Sequence, residues 1–216
     1  MIVIGLVLLA GTLNGVPAGA TPKESDRGSV KGRITYSGDV PKQMKLMIIK
    51  DVKVCAKKDH YDNRLVVGND RGIKNVVVSL VGVEGGKSID SLGTEFVLDQ
   101  KVCAYDPHLL IVPVNKQIKI LNSDGILHNI HTYGKLNRSV NLAQPRFKKK
   151  LKLTLDKLEK VQVRCDIHGW MSAWFIVVDH PYYAVTDSAG KFSLSGIPSG
   201  TYTLNIWQEL LGNREV

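Results

Sequence analysis

The run Val161–Val178 constrains this chain more than any other stretch. Before Cys165, Val161 and Val163 alternate with polar residues; after Met171, an apolar run extends to Val178. Such runs predict two strands. The turn between them carries Cys165, His168 and Met171, with two residues separating each neighbouring pair. Thiolate, imidazole and thioether together make a soft donor set, which suits copper and not the oxygen-seeking calcium or magnesium. A trigonal copper plane of two His and one Cys, with a weak axial Met, needs one more imidazole than this turn supplies. A lone Cys, His or Met is ordinarily core filler or surface. Three at this spacing between two strands point to a metal.

The missing imidazole has a candidate in Ile118–His131. Ile118 and Ile120 alternate as in a strand, and Asn122-Ser-Asp-Gly125 is turn chemistry leading to His128. A distant His joined to the Cys-His-Met turn would clamp two remote strands. His131 is the main rival, but three positions along an extended strand it faces away from His128. His108 is a weaker one. Zinc competes for the same residues, with water replacing the thioether.

His128-Asn129 followed by Cys165-x2-His168-x2-Met171 resembles the cupredoxins, the blue copper proteins, in their amicyanin- and plastocyanin-like form. Tyr105-Asp-Pro107, Leu109–Val114, Ile118, Ile120 and Asn122 extend the likeness over about residues 96–178. The resemblance implies an all-β fold, with a cupredoxin Greek-key β-sandwich over residues 96–179. It implies one type 1 copper held by His128, Cys165, His168 and axial Met171, with Asn129 bracing the loop around Cys165. The implied reaction is one-electron transfer between redox partners (a cytochrome, another copper protein or a dehydrogenase) rather than enzymatic bond chemistry. Two other classes stay open: a copper carrier, which would want an exchangeable site, and an adhesion or scaffold module with incidental metal.

The flanks carry a second resemblance. Gly28–Gly38 and Ile73–Leu80 on one side, and Ala184–Leu194 with Ile197–Leu204 on the other, are similar to a carboxypeptidase regulatory-like, transthyretin-like β-sandwich. Asp187-Ser-Ala-Gly190 and Pro198-Ser-Gly200 are turns between alternating runs. The expected organisation is a discontinuous small sandwich, residues 21–95 plus 180–216, into which the cupredoxin is inserted or to which it is fused. Strands are expected at Ser29–Tyr36, Lys45–Lys50 and Ile73–Val81, and a solvated loop carrying a surface His60 at Lys57–Asn63. At 216 residues the chain has room for two such cores.

Residues 1–20 are uncharged, with an apolar run at Ile2–Leu9 and small residues at Ala18-Gly-Ala20. That reads as a signal peptide cut after Ala20, hence a periplasmic or secreted protein, and no other stretch could span a membrane. Export changes the reading of the three cysteines. With Cys165 reserved for metal, Cys55 and Cys103 are left to form a disulfide; a separate metal on Cys103 and His108 is the weaker alternative.

Lysine and arginine outnumber the acids by 29 to 20, for a net charge of +9. The segment Arg146–Lys152 reads as an edge strand guarded by lysine, its Lys148–Lys150 able to steer an acidic partner. Nucleic acid is disfavoured, since aromatics do not interleave the basic stretches. Beside Gly169, the edge of His168 is expected to face solvent as the electron exit, rimmed by Trp170, Ile126 and Leu127.

Overall fold

The computed structural model describes residues 2–7 and 27–216. Its strands are β1 Ile2–Val7, β2 Gly28–Tyr36, β3 Val66–Val67, β4 Ile73–Lys74, β5 Val77–Val81, β6 Phe96–Gln100, β7 Tyr105–Asp106, β8 Leu109–Pro113 and β9 Gln117–Asn122. There follow β10 His128–Tyr133, β11 Asn141–Gln144, β12 Lys150–Thr154, β13 Lys160–Arg164, β14 Ser172–Val178, β15 Tyr183–Val185, β16 Lys191–Ile197, β17 Thr203–Gln208 and β18 Gly212–Glu215. Helix among the described residues is limited to short turns at Val52–Cys55 and Ile89–Leu92. The fold is all-β. No helix among the described residues is long and apolar enough to cross a membrane. The cleavage site expected after Ala20 lies outside the described residues, while Ile2–Val7, within the same segment, pairs antiparallel with β2.

The chain divides into a flanking unit, Met1–Lys42 with Arg64–Ser88 and His180–Val216, and a central unit, Gln43–Asn63 with Ile89–Asp179. The sequence reading placed residues 43–63 with the flanking segments, and the structure corrects this. Cys55 is bonded to Cys103, and Ile48 and Val54 pack against the central unit's core. The Lys45–Lys50 run forms no strand there, only an isolated bridge between Lys45 and Tyr61. His60 is buried rather than exposed, its Nε2 2.8 Å from the carbonyl of Cys55.

The central unit is two facing sheets, ordered β11-β10-β13-β14-β8 and β12-β9-β6-β7. β8 and β14 run parallel, as do β6 and β9. Alternation sets the core: Ile118 and Ile120 of β9 point inward while Gln117 points out. They meet Leu98, Ile130, Val161, Val163 and Phe175. Each such side chain, fully buried, contributes about 1.5–3 kcal/mol. β12 lies at a sheet edge with Leu151 inward and Lys150 and Lys152 outward, as lysine on an edge strand should.

The flanking unit has sheets β1-β2-β16 and β15-β5-β17-β18, with the β3-β4 ribbon beside them. Its core holds Ile34, Ile73, Val78, Tyr182, Leu204 and Ile206. The expected Ile73–Val81 strand is split in two, because Asn75 adopts φ 60° between β4 and β5. The Asp187–Gly190 turn requires its glycine. Gly190 has φ +74°, and a Cβ there would stand 2.2 Å from the carbonyl oxygen of Ile34.

Candidate metal centre

The turn ahead of β10 is folded by one side chain. Asn122 Nδ2 donates to the carbonyls of Ile126 and Gln144, and its Oδ1 accepts from the Gly125 N–H. The tightened turn presents Asp124 and starts β10 at His128. On the other side of the site, Cys165 directly follows β13 and Met171 precedes β14. The loop between them is closed by the Met171 N–H on the His168 carbonyl at 2.9 Å, and by the Cys165 N–H on the Met171 carbonyl at 3.4 Å.

These two connections bring His128, Cys165 and His168 together. Cys165 Sγ lies 3.9 Å from His128 Nδ1 and 3.8 Å from His168 Nδ1, and the two Nδ1 atoms are 3.0 Å apart. Both imidazoles have no solvent exposure, and the sulfur's residue is 1% exposed. Met171 is buried beside them in the same core.

Each imidazole is gripped from behind by a carboxylate. His128 Nε2 lies 2.9 Å from Asp124 Oδ2, and His168 Nε2 lies 2.8 Å from Asp51 Oδ2. An ionised carboxylate only accepts, so each Nε2 carries the proton and each Nδ1 turns a lone pair toward the sulfur. Two lone pairs and a sulfur facing one another in a dry pocket repel, and a bound cation removes that repulsion. For metal–nitrogen bonds of roughly 2.05 Å and a metal–sulfur bond of roughly 2.3 Å, a trigonal plane separates its donors by about 3.5–3.8 Å. The observed sulfur–nitrogen edges match this and the nitrogen–nitrogen edge is shorter. The donor set fits a copper ion, and it fits zinc as well.

In the metal-free protein Cys165 and His168 lean toward the thiolate and the neutral imidazole that a metal needs, while His128 leans toward holding its proton. Burial raises the Cys165 thiol, but His128 and the N–H groups of Asn129 and His168 outweigh it and favour the thiolate. Burial keeps His168 below its ordinary pKa despite Asp51. Burial also depresses His128, yet Asp124 and Cys165 more than reverse it, so its pKa is raised. Asp124 is kept low, against its burial, by His128 and by the N–H groups of Cys103 and Val102. Val102 and Cys103 sit at φ 49° and 51°, which aims both N–H groups at one carboxylate.

Around this cluster the other expected residues fall as follows. Asn129 Oδ1 accepts the Asp166 N–H at 2.7 Å, tying β10 to the loop after Cys165. His131 faces away, partly exposed, with Nδ1 3.0 Å from Asp166 Oδ2. His108 is also outside the cluster, its Nδ1 3.1 Å from the Ser172 carbonyl. The Cys55–Cys103 disulfide is formed, with Cα atoms 5.0 Å apart. It abuts both imidazoles: Cys103 Sγ is within 4.8 Å of a ring nitrogen of His128 and of His168.

One expectation fails. His168 was expected to open to solvent beside Gly169, and it is sealed. The sealing groups are Asp51, on the segment stapled by Cys55, and Trp170, whose indole donates to the Cys103 carbonyl at 3.1 Å. Asp51 and Asp124 were both missed by the sequence reading. Asp51 is 117 positions from its partner and no local pattern marks it. Asp124, four residues before His128 in a turn, was visible as a neighbour but not as a partner.

No protein-family model and no curated protein matches the chain. Among solved structures it is similar to a mutant of amicyanin in its reduced Cu(I) form at pH 4, at 16% identity and TM-score 0.36 over 47% of this chain and 98% of that one. It is also similar to an oxidised amicyanin mutant, at 16% identity, TM-score 0.36 and the same coverage. A purple cupredoxin from Nitrosopumilus maritimus is similar at 15% identity and TM-score 0.32, over 39% of this chain and all of that one.

Proposed function

We propose that the central unit binds a single type 1 copper ion and passes single electrons between redox partners outside the cytoplasm, with no substrate bond made or broken. The observation that carries this reading is the convergence of three buried soft or borderline donors, His128 Nδ1, His168 Nδ1 and Cys165 Sγ, each within 3.9 Å of the next. A copper ion held by His128, Cys165 and His168, with the Met171 thioether as a further weak donor, would supply a one-electron couple there.

The residues have separable tasks. Asp124 and Asp51 fix the tautomer and orientation of the two imidazoles. The N–H groups of Asn129 and His168 stabilise negative charge on the Cys165 sulfur. Asn129 and the Met171 backbone hold the loop so that the donors need not move between oxidation states. A copper carrier is the weaker reading, because donors with 0–1% exposure suit retention better than exchange. Copper(II) loading followed by absorption and electron paramagnetic resonance tests the proposal. An intense thiolate-to-copper band that Cys165→Ser abolishes is expected, with His128→Ala far more damaging than His131→Ala. A colourless loaded protein, or a band indifferent to His128, overturns it.

A further inference from the structure

If the ligand ring that should meet a partner is sealed, the sealing segment itself is the surface a partner would reach. Residues 43–63 cover His168 through Asp51, and Cys55 staples them to Cys103. Their side chains sort by alternation. Leu46 and Ile48 turn inward, while Met47 and Ile49 are 82% and 76% exposed. Met44 at 56% and Val52 at 53% extend the apolar exposure on either side. Isolated exposed apolar residues are ordinary, but four within nine positions on a short disulfide-pinned segment make a patch of the kind that marks an interaction site. Methionine is enriched at such sites.

The same segment is basic. From Lys45 to Asp59 five exposed lysines stand with two carboxylates: Asp51 is turned to His168 and Asp59 pairs with Lys45 at 2.8 Å, so that Lys50, Lys53, Lys57 and Lys58 make the basic face. An apolar centre inside a lysine field is complementary to an acidic protein and repels a basic one. Asp51 is also the partly exposed end of a hydrogen-bonded route from the donor cluster: its side chain is 37% exposed, and one 2.8 Å hydrogen bond joins it to His168. The equivalent partner of His128 ends in the interior, with Asp124 only 4% exposed.

We infer that the 43–58 segment is the docking surface for an acidic one-electron redox protein, with Asp51 as the contact through which His168 is electronically reached. This rests on the proposed copper function. In the transfer one electron leaves reduced copper, giving its oxidised form, and the bound acidic protein is reduced by one electron; no proton moves and no bond forms. The 85%-exposed Phe147 with Lys148 and Lys149, which follow the strand whose Gln144 pairs with His128, is the rival surface.

The test maps binding on the full chain as isolated, with an acidic c-type cytochrome and a basic one as probes, by amide chemical shifts and by affinity across ionic strength. Shifts centred on Met47–Lys53, binding to the acidic cytochrome alone, and affinity that falls with salt are expected. Lys53→Glu with Lys57→Glu should weaken association at least about tenfold, and Met47→Ser with Ile49→Ser should weaken it at low and high salt alike. A footprint on Leu127 and Phe147–Lys149, equal binding of both cytochromes, no binding, or concentration-dependent shifts at Met47 without cytochrome (self-association) would each overturn the inference. The visible band of the same samples separates the two ideas. A footprint on the segment in a protein without the band sustains the surface and removes the copper reading, and a band with a footprint elsewhere does the reverse.

Discussion

Asp124 Oδ2 stands 2.9 Å from Nε2 of His128, four residues along the chain, and the two side chains are 4% and 0% exposed. The carboxylate also accepts from the Val102 and Cys103 N–H groups, the latter at 2.8 Å, so it cannot swing away. It orients an imidazole without touching the donor face.

Asp124→Asn removes the charge while nearly preserving shape. Metal affinity should fall about 10–100-fold, as it does when partners behind a ligand are lost. Chelator competition measures it, and at saturating copper the band should persist. Unchanged affinity would reduce Asp124 to a turn residue.

The disulfide spans 48 positions and lies against both imidazoles. In the chain-entropy model, closing a loop of that length stabilises by about 4 kcal/mol. Replacing Cys55 and Cys103 together by Ser should therefore cost up to about that amount in urea unfolding. It should also make His168 more reactive toward an imidazole-modifying reagent, because the segment bearing Asp51 loses its staple.

Asn129 joins β10 to the loop after Cys165 through the Asp166 N–H, and its Nδ2 donates to Asn141 Oδ1 at 2.7 Å and Asp166 Oδ2 at 3.0 Å. Asn129→Ala takes away the acceptor of the Asp166 N–H, at a cost of about 1–3 kcal/mol. Thermal unfolding of the copper-free protein reads the loss. Electron paramagnetic resonance of the loaded variant should report a shifted site, since the loop sets where the sulfur lies.

Glu159 tests a different element. Its burial works to raise its pKa, but the N–H groups of Asn137, Lys135 and Leu136 and the Asn137 amide outweigh this and hold it below its ordinary value. A depressed carboxyl contributes stability that is present above the unfolded pKa, about 4.3, and is lost as pH falls through the folded one. The melting temperature of the wild type should exceed that of Glu159→Gln at pH 7, and the two should converge in acid below about pH 3. A constant difference across that range would mean the carboxylate charge is irrelevant to the 134–137 loop.

What the sequence disclosed and what it hid follow from distance along the chain. The Cys165, His168 and Met171 spacing is local, and the alternation around it dictates strands, so both were legible. That His131 turns away from His128 followed from counting along an extended strand. Asp51 was illegible because an aspartate followed by Val-Lys-Val has no local signature, and its partner is 117 positions off. His168 was misjudged for the same reason: Gly169 leaves its edge open locally, and the groups that close it arrive from elsewhere. Residues 43–63 were misassigned because their alternation imitates a strand, whereas their attachment depends on Cys55 and on Ile48 and Val54 packing inward.

The pairing of β5 with β15 and β17 has a consequence for the order of events as the chain is made. Val77–Val81 is synthesised before the 91 residues Ile89–Asp179, yet its neighbours Tyr183–Val185 and Thr203–Trp207 come after them. Closing so long a loop through unstructured chain is entropically unfavourable and slow. The central unit suffers no such delay, since its last strand, β14, ends at Val178 and all its other segments precede that point. During vectorial emergence the metal pocket can therefore be complete while β5 still waits with its edges unpaired. The nested arrangement makes the inner unit the earlier folder and leaves the outer one dependent on the arrival of β15–β18.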